Sequence, residues 1–344
     1  MKAMAHKRES KSEYLLEVVG LTKHFPLKQG WLKRGPRSGS ALRAVDDVSL
    51  TLKEGETLGI VGESGCGKST TANLIMRLLE PTEGKIYFDG VDWTALPARD
   101  LREKRKEMQM IFQDPYSSLN PRMRVKDLIA EPLRTHTQLS RNQIAAQVEE
   151  LLEVVGLDPS YGNRYPHEFS GGQRQRIGIA RALALRPRLI ICDEPVSALD
   201  VSIQAQILNL LVKLKKEYQL TYLFIAHGLP VVKHISDRIA VMYLGQVVEL
   251  ASKVDLFAQP RHPYTEGLLA AVPIPDPSLR GKEVQLLEGD LPSPANPPSG
   301  CRFHPRCPYA TQVCQEEIPP LQELTINHWV ACHHPLQQGK GALR

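Results

Sequence analysis

The sequence predicts an α/β fold, a sheet with helices on both faces, followed by a small cysteine-rich C-terminal extension. Three observations carry this. From about Tyr14 to Val254, short β-rich apolar runs alternate with amphipathic helical patterns. A glycine-rich run, Gly62–Ser69, sits between a strand-like and a helix-like segment. Beyond Pro260 prolines become frequent, and four of the six cysteines crowd the last 44 positions.

The clearest strand candidates are the apolar runs Thr57–Val61, Met108–Phe112, Leu189–Cys192 and Thr221–Ile225. A helix is expected over Thr70–Leu79, and another after Asp200. The second places Ile203, Ile207, Leu210, Leu211 and Leu214 on one face and Lys213, Lys215 and Lys216 towards solvent. The stretch Pro292–Gly300 reads as an extended, irregular connector. No internal repeat is visible.

Composition narrows the classes. With 344 residues, 42% hydrophobic and 24% charged, the chain has enough apolar material for one large or two moderate cores and is not of disordered type. The net charge of +5 is mild and much of it lies in Lys2, Lys7, Arg8, Lys11 and the stretch Lys28–Arg43. It forms no basic stripe of the kind that marks a nucleic-acid binder. No apolar run approaches the roughly 18–20 residues that span a bilayer, and no hydrophobic segment follows the charged N-terminus. A cytoplasmic location is therefore expected, where structural disulfides are disfavoured.

The strongest chemical signal is Gly62-Glu63-Ser64-Gly65-Cys66-Gly67-Lys68-Ser69, followed by Thr70. Glycines at these places let backbone N–H groups turn inward around phosphate oxygens. Lys68 supplies a charge for the β and γ phosphates, Ser69 a hydroxyl for Mg²⁺, and the helix that follows its positive end. A chance glycine-rich turn is the bland alternative, and the flanking strand and helix argue against it. Such a site needs carboxylates, which Leu189–Glu194 provides as a buried strand ending in Asp193 and Glu194. Asp193 would hold Mg²⁺ and Glu194 would deprotonate the attacking water. Taken alone, an apolar run ending in Asp-Glu is more often a helix cap.

The run Phe169-Ser170-Gly171-Gly172-Gln173-Arg174-Gln175-Arg176 narrows the class, because it resembles the signature sequence of the ABC transporter ATPases. The resemblance implies that Ser170, Gly171, Gly172 and Gln173 face a nucleotide held by a partner subunit, so that two ATP molecules are sandwiched between two such domains. It also implies roles for Gln113 (reaching Mg²⁺ and the attacking water), Ser197–Asp200 (crossing the dimer seam) and His227 (contacting the γ-phosphate). His227 lies 33 residues past Glu194. Phe25 matches the aromatic that stacks on adenine. The position after the histidine, often Asp in the family, is Gly228 here.

The chain further resembles the ATP-binding subunits of oligopeptide/dipeptide (and nickel) importers, from about Leu16 to Pro335. Three features carry it: the insertion Pro26–Leu42, the run Gln113–Pro121, and the tail from His262-Pro263-Tyr264-Thr265 to Pro292–Cys307. The insertion and Cys66 favour the second of the two ATPase subunits such importers carry. The resemblance implies an ABC nucleotide-binding domain over residues 14–260, with a helical subdomain at about 122–182, and a C-terminal extension over 261–344. It implies a second ATPase subunit, two transmembrane permease subunits, indirect contact with an extracytoplasmic peptide-binding protein, and a peripheral place on the cytoplasmic face of the membrane. A soluble ABC ATPase acting on ribosomes or nucleic acid, and an iron–sulfur redox protein that merely binds ATP, are the alternatives.

Cys301, Cys307, Cys314 and Cys332 are separated by five, six and seventeen residues in a proline-rich, core-poor segment. Four thiolates in such a place read as a metal site that supplies folding energy. The spacing leaves zinc and iron–sulfur open. In the importer family the corresponding tail is associated with an iron–sulfur cluster, so the resemblance implies a [4Fe–4S] centre on these four cysteines, with zinc as the alternative. His304, His333 and His334 are expected to be solvated or to stand behind the ligands.

Overall fold

A computed structural model describes residues 13–26, 41–272 and 289–337. The basic N-terminus and nearly all of the Pro26–Leu42 insertion lie outside the described residues. The strands are β1 Leu16–Pro26, β2 Ala41–Leu52, β3 Thr57–Val61, β4 Glu83–Phe88, β5 Val91–Asp92, β6 Met108–Ile111, β7 Leu189–Asp193, β8 Thr221–Ile225, β9 Arg238–Tyr243, β10 Gln246–Ser252, β11 Gln322–Thr325 and β12 His328–Val330. They form two sheets, an antiparallel one in the order β2-β1-β4-β5 and a larger one in the order β11-β12-β10-β9-β3-β8-β7-β6.

The larger sheet is parallel from β9 to β6 and antiparallel from β9 to β11. β3, β7 and β8 are buried along their whole length, and a strand covered on both faces shows this as an uninterrupted apolar run. Alternate residues feed two cores. Val61, Ile190, Cys192 and Phe224 pack under the helices Val125–His136, Gly171–Leu183 and Val201–Tyr218, through Leu128, Ile177 and Ile207. Ile60, Leu189, Ile191 and Leu223 face the other way, against Leu16, Val18 and Ile86 of the antiparallel sheet and Ala72 and Ile75 of the helix Lys68–Ile75. Helices thus lie on both faces, as expected, but a second sheet shares one of them. That face is covered in large part by the antiparallel sheet, because the long strands β1 and β2 alternate apolar and polar and bury one side only.

The expected helical subdomain contains Val125–His136, Arg141–Val154 and Gly171–Leu183. The last two each begin with a capping box, Ser140 with Gln143 and Ser170 with Gln173, in which each side chain satisfies a backbone N–H of the other residue. Asp200 takes the N-cap position of Val201–Tyr218, whose buried residues include Ile207, Leu210, Leu211 and Leu214. The tail does more packing than its proline content suggests. β12 pairs with β10, and Phe303 is buried against Tyr243, Tyr264 and His262. The extension therefore shares the sheet and the core of the preceding chain.

Candidate functional site

The glycine-rich loop leaves β3 and enters the helix Lys68–Ile75. A Cβ on Gly62 would lie 2.2 Å from the Met242 carbonyl oxygen, and one on Gly67 (φ 106°) 2.2 Å from that of Ala44. Both positions therefore require glycine, because backbone on the neighbouring strands closes the space. Lys68 is buried and its Nζ donates to the carbonyls of Gly62 (2.8 Å) and Glu63 (3.0 Å). Ser64 and Gly65 are exposed at the mouth, and Thr70 is half-buried on the first turn of the helix. The Cys66 side chain points into the core, where burial pushes its thiol up, so this residue can offer a phosphate only its backbone.

β7 delivers the acids. Ser69 Oγ donates to Asp193 Oδ1 at 2.8 Å. Burial pushes the Asp193 carboxyl up, with the Ser69 hydrogen bond opposing it. A hydroxyl and a nearly buried carboxylate side by side are hard oxygen donors suited to Mg²⁺, which takes one or two such groups and completes its shell with substrate phosphates. Glu194 is 4% exposed and adopts φ 49°. A non-glycine residue there costs on the order of 1–3 kcal/mol, and such strain gathers at functional positions. It is held by its N–H donating to the Ile225 carbonyl and by Ser197 donating to its own carbonyl. Its Oε2 is approached from two sides. Gln113 Nε2 donates to it at 2.7 Å, and His227 Nε2 lies 2.6 Å away.

The Ser69–Asp193 pair, the Gln113–Glu194–His227 set and Lys68 thus gather at the C-terminal ends of parallel strands, where open α/β sheets bind ligands. Among the described residues no hydrogen bond joins Ser170, Gly171, Gly172 or Gln173 to that group. Ser170 is exposed, at the head of the Gly171–Leu183 helix. Phe25 is half-buried on β1, opposite Leu42, with the Lys23 ammonium 5.2 Å from its ring centroid. Gly228 is the N-cap of Leu229–Ile235 and gives that helix no side-chain cap.

The four tail cysteines converge. Cys301, Cys307, Cys314 and Cys332 line one small cavity of about 10 Å³ together with His262, His304, His333 and His334. All four are free thiols. Burial pushes Cys307 up to about 11 and Cys332 to about 12, so they hold their protons at neutral pH unless a cation draws them off. Among the described residues no three His, Cys, Asp or Glu side chains stand where they could hold a metal ion. The four cysteines expected to form a metal site thus line a common cavity, but among the described residues they are not arranged to hold a metal ion. His304 and His333 are half-buried and each bonds a backbone carbonyl, of Cys301 and Glu317, while His334 is exposed. His262 is an unforeseen member. It is buried, its Nδ1 accepts from the Tyr264 N–H, and its Nε2 has no partner. Burial lowers its pKa to about 4, so the ring is neutral and Nε2 carries a hydrogen.

The family profile described as ABC transporter matches residues 45–197, and that of the oligopeptide/dipeptide transporter C-terminal region matches residues 248–314. The oligopeptide transport ATP-binding protein AppF of Bacillus subtilis is 55% identical over 325 residues, spanning 93% of this chain and 97% of that protein. The chain belongs to the ABC transporter ATP-binding proteins of the oligopeptide/dipeptide class. A second relative, OppF of Salmonella typhimurium, an oligopeptide transport ATP-binding protein, is 57% identical over 322 residues, 92% of this chain and 95% of its own length. Among solved structures, the dimeric ATP-binding cassette MJ0796 bound to ADP and Pi superposes with a TM-score of 0.61 at 30% identity, covering 69% of this chain and 98% of that one. This ABC ATPase is an ATP-hydrolysing protein, and its relatives speak against the ribosome- or nucleic-acid-directed alternative. Among the described residues no helix is long and apolar enough to cross a membrane.

Sequence reading missed the contacts between the tail and the phosphate loop. Arg306 forms a bidentate pair with Glu63, and Tyr264 Oη accepts from the Glu63 N–H. The one available signal was a conspicuous pair of arginines, Arg302 and Arg306, between two cysteines.

Proposed function

We propose that this ATPase powers the import of di- or oligopeptides as the second of two different ATPase subunits, docked on the cytoplasmic face of two membrane permease subunits that a peptide-binding protein supplies. The observation that carries the catalytic part is Glu194 Oε2, held between Gln113 and His227 at the end of β7. Lys68 releases its two loop carbonyls and turns to the β and γ phosphates of ATP. Ser69, Asp193 and Gln113 are the groups that would hold Mg²⁺, which neutralises phosphate charge. Glu194 takes the proton from water as it attacks the γ-phosphorus in line and ADP leaves, while His227 orients the carboxylate and contacts the transferred phosphoryl group. Ser170, Gly171, Gly172 and Gln173 serve the nucleotide of the partner subunit, which fits the exposed Ser170 at the head of its helix. Phe25 stacks on the adenine. Residues 14–260 work as the nucleotide-binding domain and 261–344 as the importer-specific extension.

The cysteine-lined cavity is the place for a [4Fe–4S] cluster held by Cys301, Cys307, Cys314 and Cys332. The support is the convergence of four thiols on one cavity, with the His262 Nε2–H buried beside it and, among the described residues, unpaired, a donor suited to a sulfide. Such a cluster would supply electron-transfer capacity and a rigid four-point anchor. Protein purified without oxygen should contain about four irons per chain and absorb near roughly 400 nm. Stoichiometric zinc without visible absorption, or neither metal, refutes the cluster.

The transport reading is tested in membrane vesicles carrying the two permease subunits, this chain and its ATPase partner. Peptide-loaded binding protein should accelerate ATP hydrolysis and fill the vesicles with peptide. Hydrolysis that ignores peptide in every such combination overturns it.

A further inference from the structure

The loop Cys301–Cys307 runs between two thiols of the cysteine-lined cavity and carries two arginines that both reach the nucleotide side of the molecule. Arg306 Nη1 and Nη2 donate to Glu63 Oε2 and Oε1 at 2.8 and 3.1 Å. Its side chain is 6% exposed, and its guanidinium lies 6.0 Å from the Tyr243 ring centroid. Glu63 is the second residue of the phosphate loop, and all its polar groups are engaged. Its N–H donates to Tyr264 Oη at 3.0 Å, its carboxylate takes Arg306, and its carbonyl accepts from Lys68 Nζ at 3.0 Å. Arg302 grips the other side. It donates to the Leu244 carbonyl and to Asp46 on β2. The next residue, Gly245, donates to the Cys66 carbonyl of the phosphate loop and accepts from the Asp46 N–H.

We propose that Cys301–Cys307 is a strap that positions the phosphate loop, with Arg306 acting through Glu63 on Lys68, so that the integrity of the cysteine-lined cavity sets the affinity for ATP. A bidentate guanidinium–carboxylate pair fixes both the position and the plane of Glu63, which a point charge does not. The edge-to-face cluster of Phe303, Tyr243 and Tyr264 makes the base of the strap rigid, so displacement at Cys307 is passed to its neighbour Arg306 and is not absorbed. Arg306 touches no substrate. It is a positioning residue, and its loss should change binding more than the chemical step.

This inference rests on Lys68 as the phosphate-binding lysine, so Lys68→Ala is the control that tests that reading separately. The experiment uses the full chain, a non-hydrolysable ATP analogue with Mg²⁺, and the equilibrium Kd. Arg306→Ala should raise Kd about tenfold, as expected for breaking a charge-assisted pair with little exposure. Glu63→Gln should do the same, and the double variant should be no worse than either single one. Arg306→Lys should recover only part of the loss. At saturating ATP, the turnover of the Arg306→Ala protein assembled with its partners should stay within about threefold of the unaltered protein. Cys307→Ser should raise Kd in the unaltered chain but by less than about twofold in the Arg306→Ala background, since the link is already cut. Should Arg306→Ala fail to fold, Glu63→Gln and Arg306→Lys decide. A Kd within about twofold of the unaltered protein in Glu63→Gln, or a Cys307→Ser effect of equal size in both backgrounds, overturns the strap. Retained binding in Lys68→Ala instead overturns the lysine assignment.

Discussion

Replacing Glu194 by glutamine separates what this residue does for the fold from what it does for the reaction. The side chain is 4% exposed, and its Oε2 meets Gln113 at 2.7 Å and His227 at 2.6 Å. An amide has the same shape, and its oxygen can still accept from both. Glutamine also tolerates φ 49° no worse than glutamate, since the strain lies in the backbone. The unfolding free energy should therefore change by less than about 1 kcal/mol, and ATP should bind as before. What disappears is the proton acceptor. General-base steps contribute about 10²–10⁴-fold, so the barrier should rise by about 3–5 kcal/mol. The assay is single-turnover hydrolysis of pre-bound ATP in the assembled transporter, beside equilibrium binding. Hydrolysis within about threefold of the unaltered enzyme would refute the base assignment. A parallel collapse of ATP affinity would instead make Glu194 a binding group.

Lys68→Ala should weaken ATP binding by at least about a hundredfold in equilibrium titration, since it removes the one buried ammonium aimed by the Gly62 and Glu63 carbonyls. Gly62→Ala should abolish nucleotide binding and lower stability by about 3 kcal/mol or more in denaturant unfolding, because its methyl group would collide with the Met242 backbone. Gly228→Asp adds a capping carboxylate to Leu229–Ile235, its Cβ in ordinary contact with Pro230; stability should rise by a few tenths of a kcal/mol and turnover change less than about threefold. ATPase activity per molecule should fall on dilution of the isolated chain if Ser170 and Gly172 act across a dimer seam, and activity that stays flat on dilution refutes that role.

The ATP site was legible because each part is a short local pattern with a steric or electrostatic reason. Gly62, Gly67 and Lys68 are spaced by the geometry of one turn, and Asp193 and Glu194 follow an apolar strand that can only be buried. Gln113 and His227 were found only through resemblance, since a lone glutamine or histidine after a strand has no distinguishing local chemistry. The strands Thr57–Val61 and Thr221–Ile225 were read to the residue, because burial on both faces leaves an unbroken apolar run with clear ends. The second sheet that shares one face was not foreseen. Whether helices or a second sheet close a face depends on where β1 and β2 fold back, and periodicity within a strand does not report that.

The long-range wiring of the tail lies beyond any local reading, and the sheet order explains why it exists. Glu63 and Arg306 are 243 positions apart, and Asp46 and Arg302 are 256 apart. The order β12-β10-β9-β3 in the sheet carries the end of the chain back until only β10 and β9 separate it from the strand that leads into the phosphate loop. Phe303 then locks the tail onto Tyr243, at the last position of β9, directly before the Leu244–Gly245 turn that holds the Cys66 carbonyl. A charged pair with little exposure is costly to break and costly to leave half-made. Arg306 and Glu63 thus tolerate few relative positions, and the tail can hold its place only when the loop holds its own. That mutual constraint predicts that a chain truncated before Cys301 loses ATP affinity even though every nucleotide motif remains. Equilibrium binding to a chain ending at residue 297, with circular dichroism to confirm that the sheet persists, checks it; unaltered affinity would mean that the phosphate loop stands without its strap.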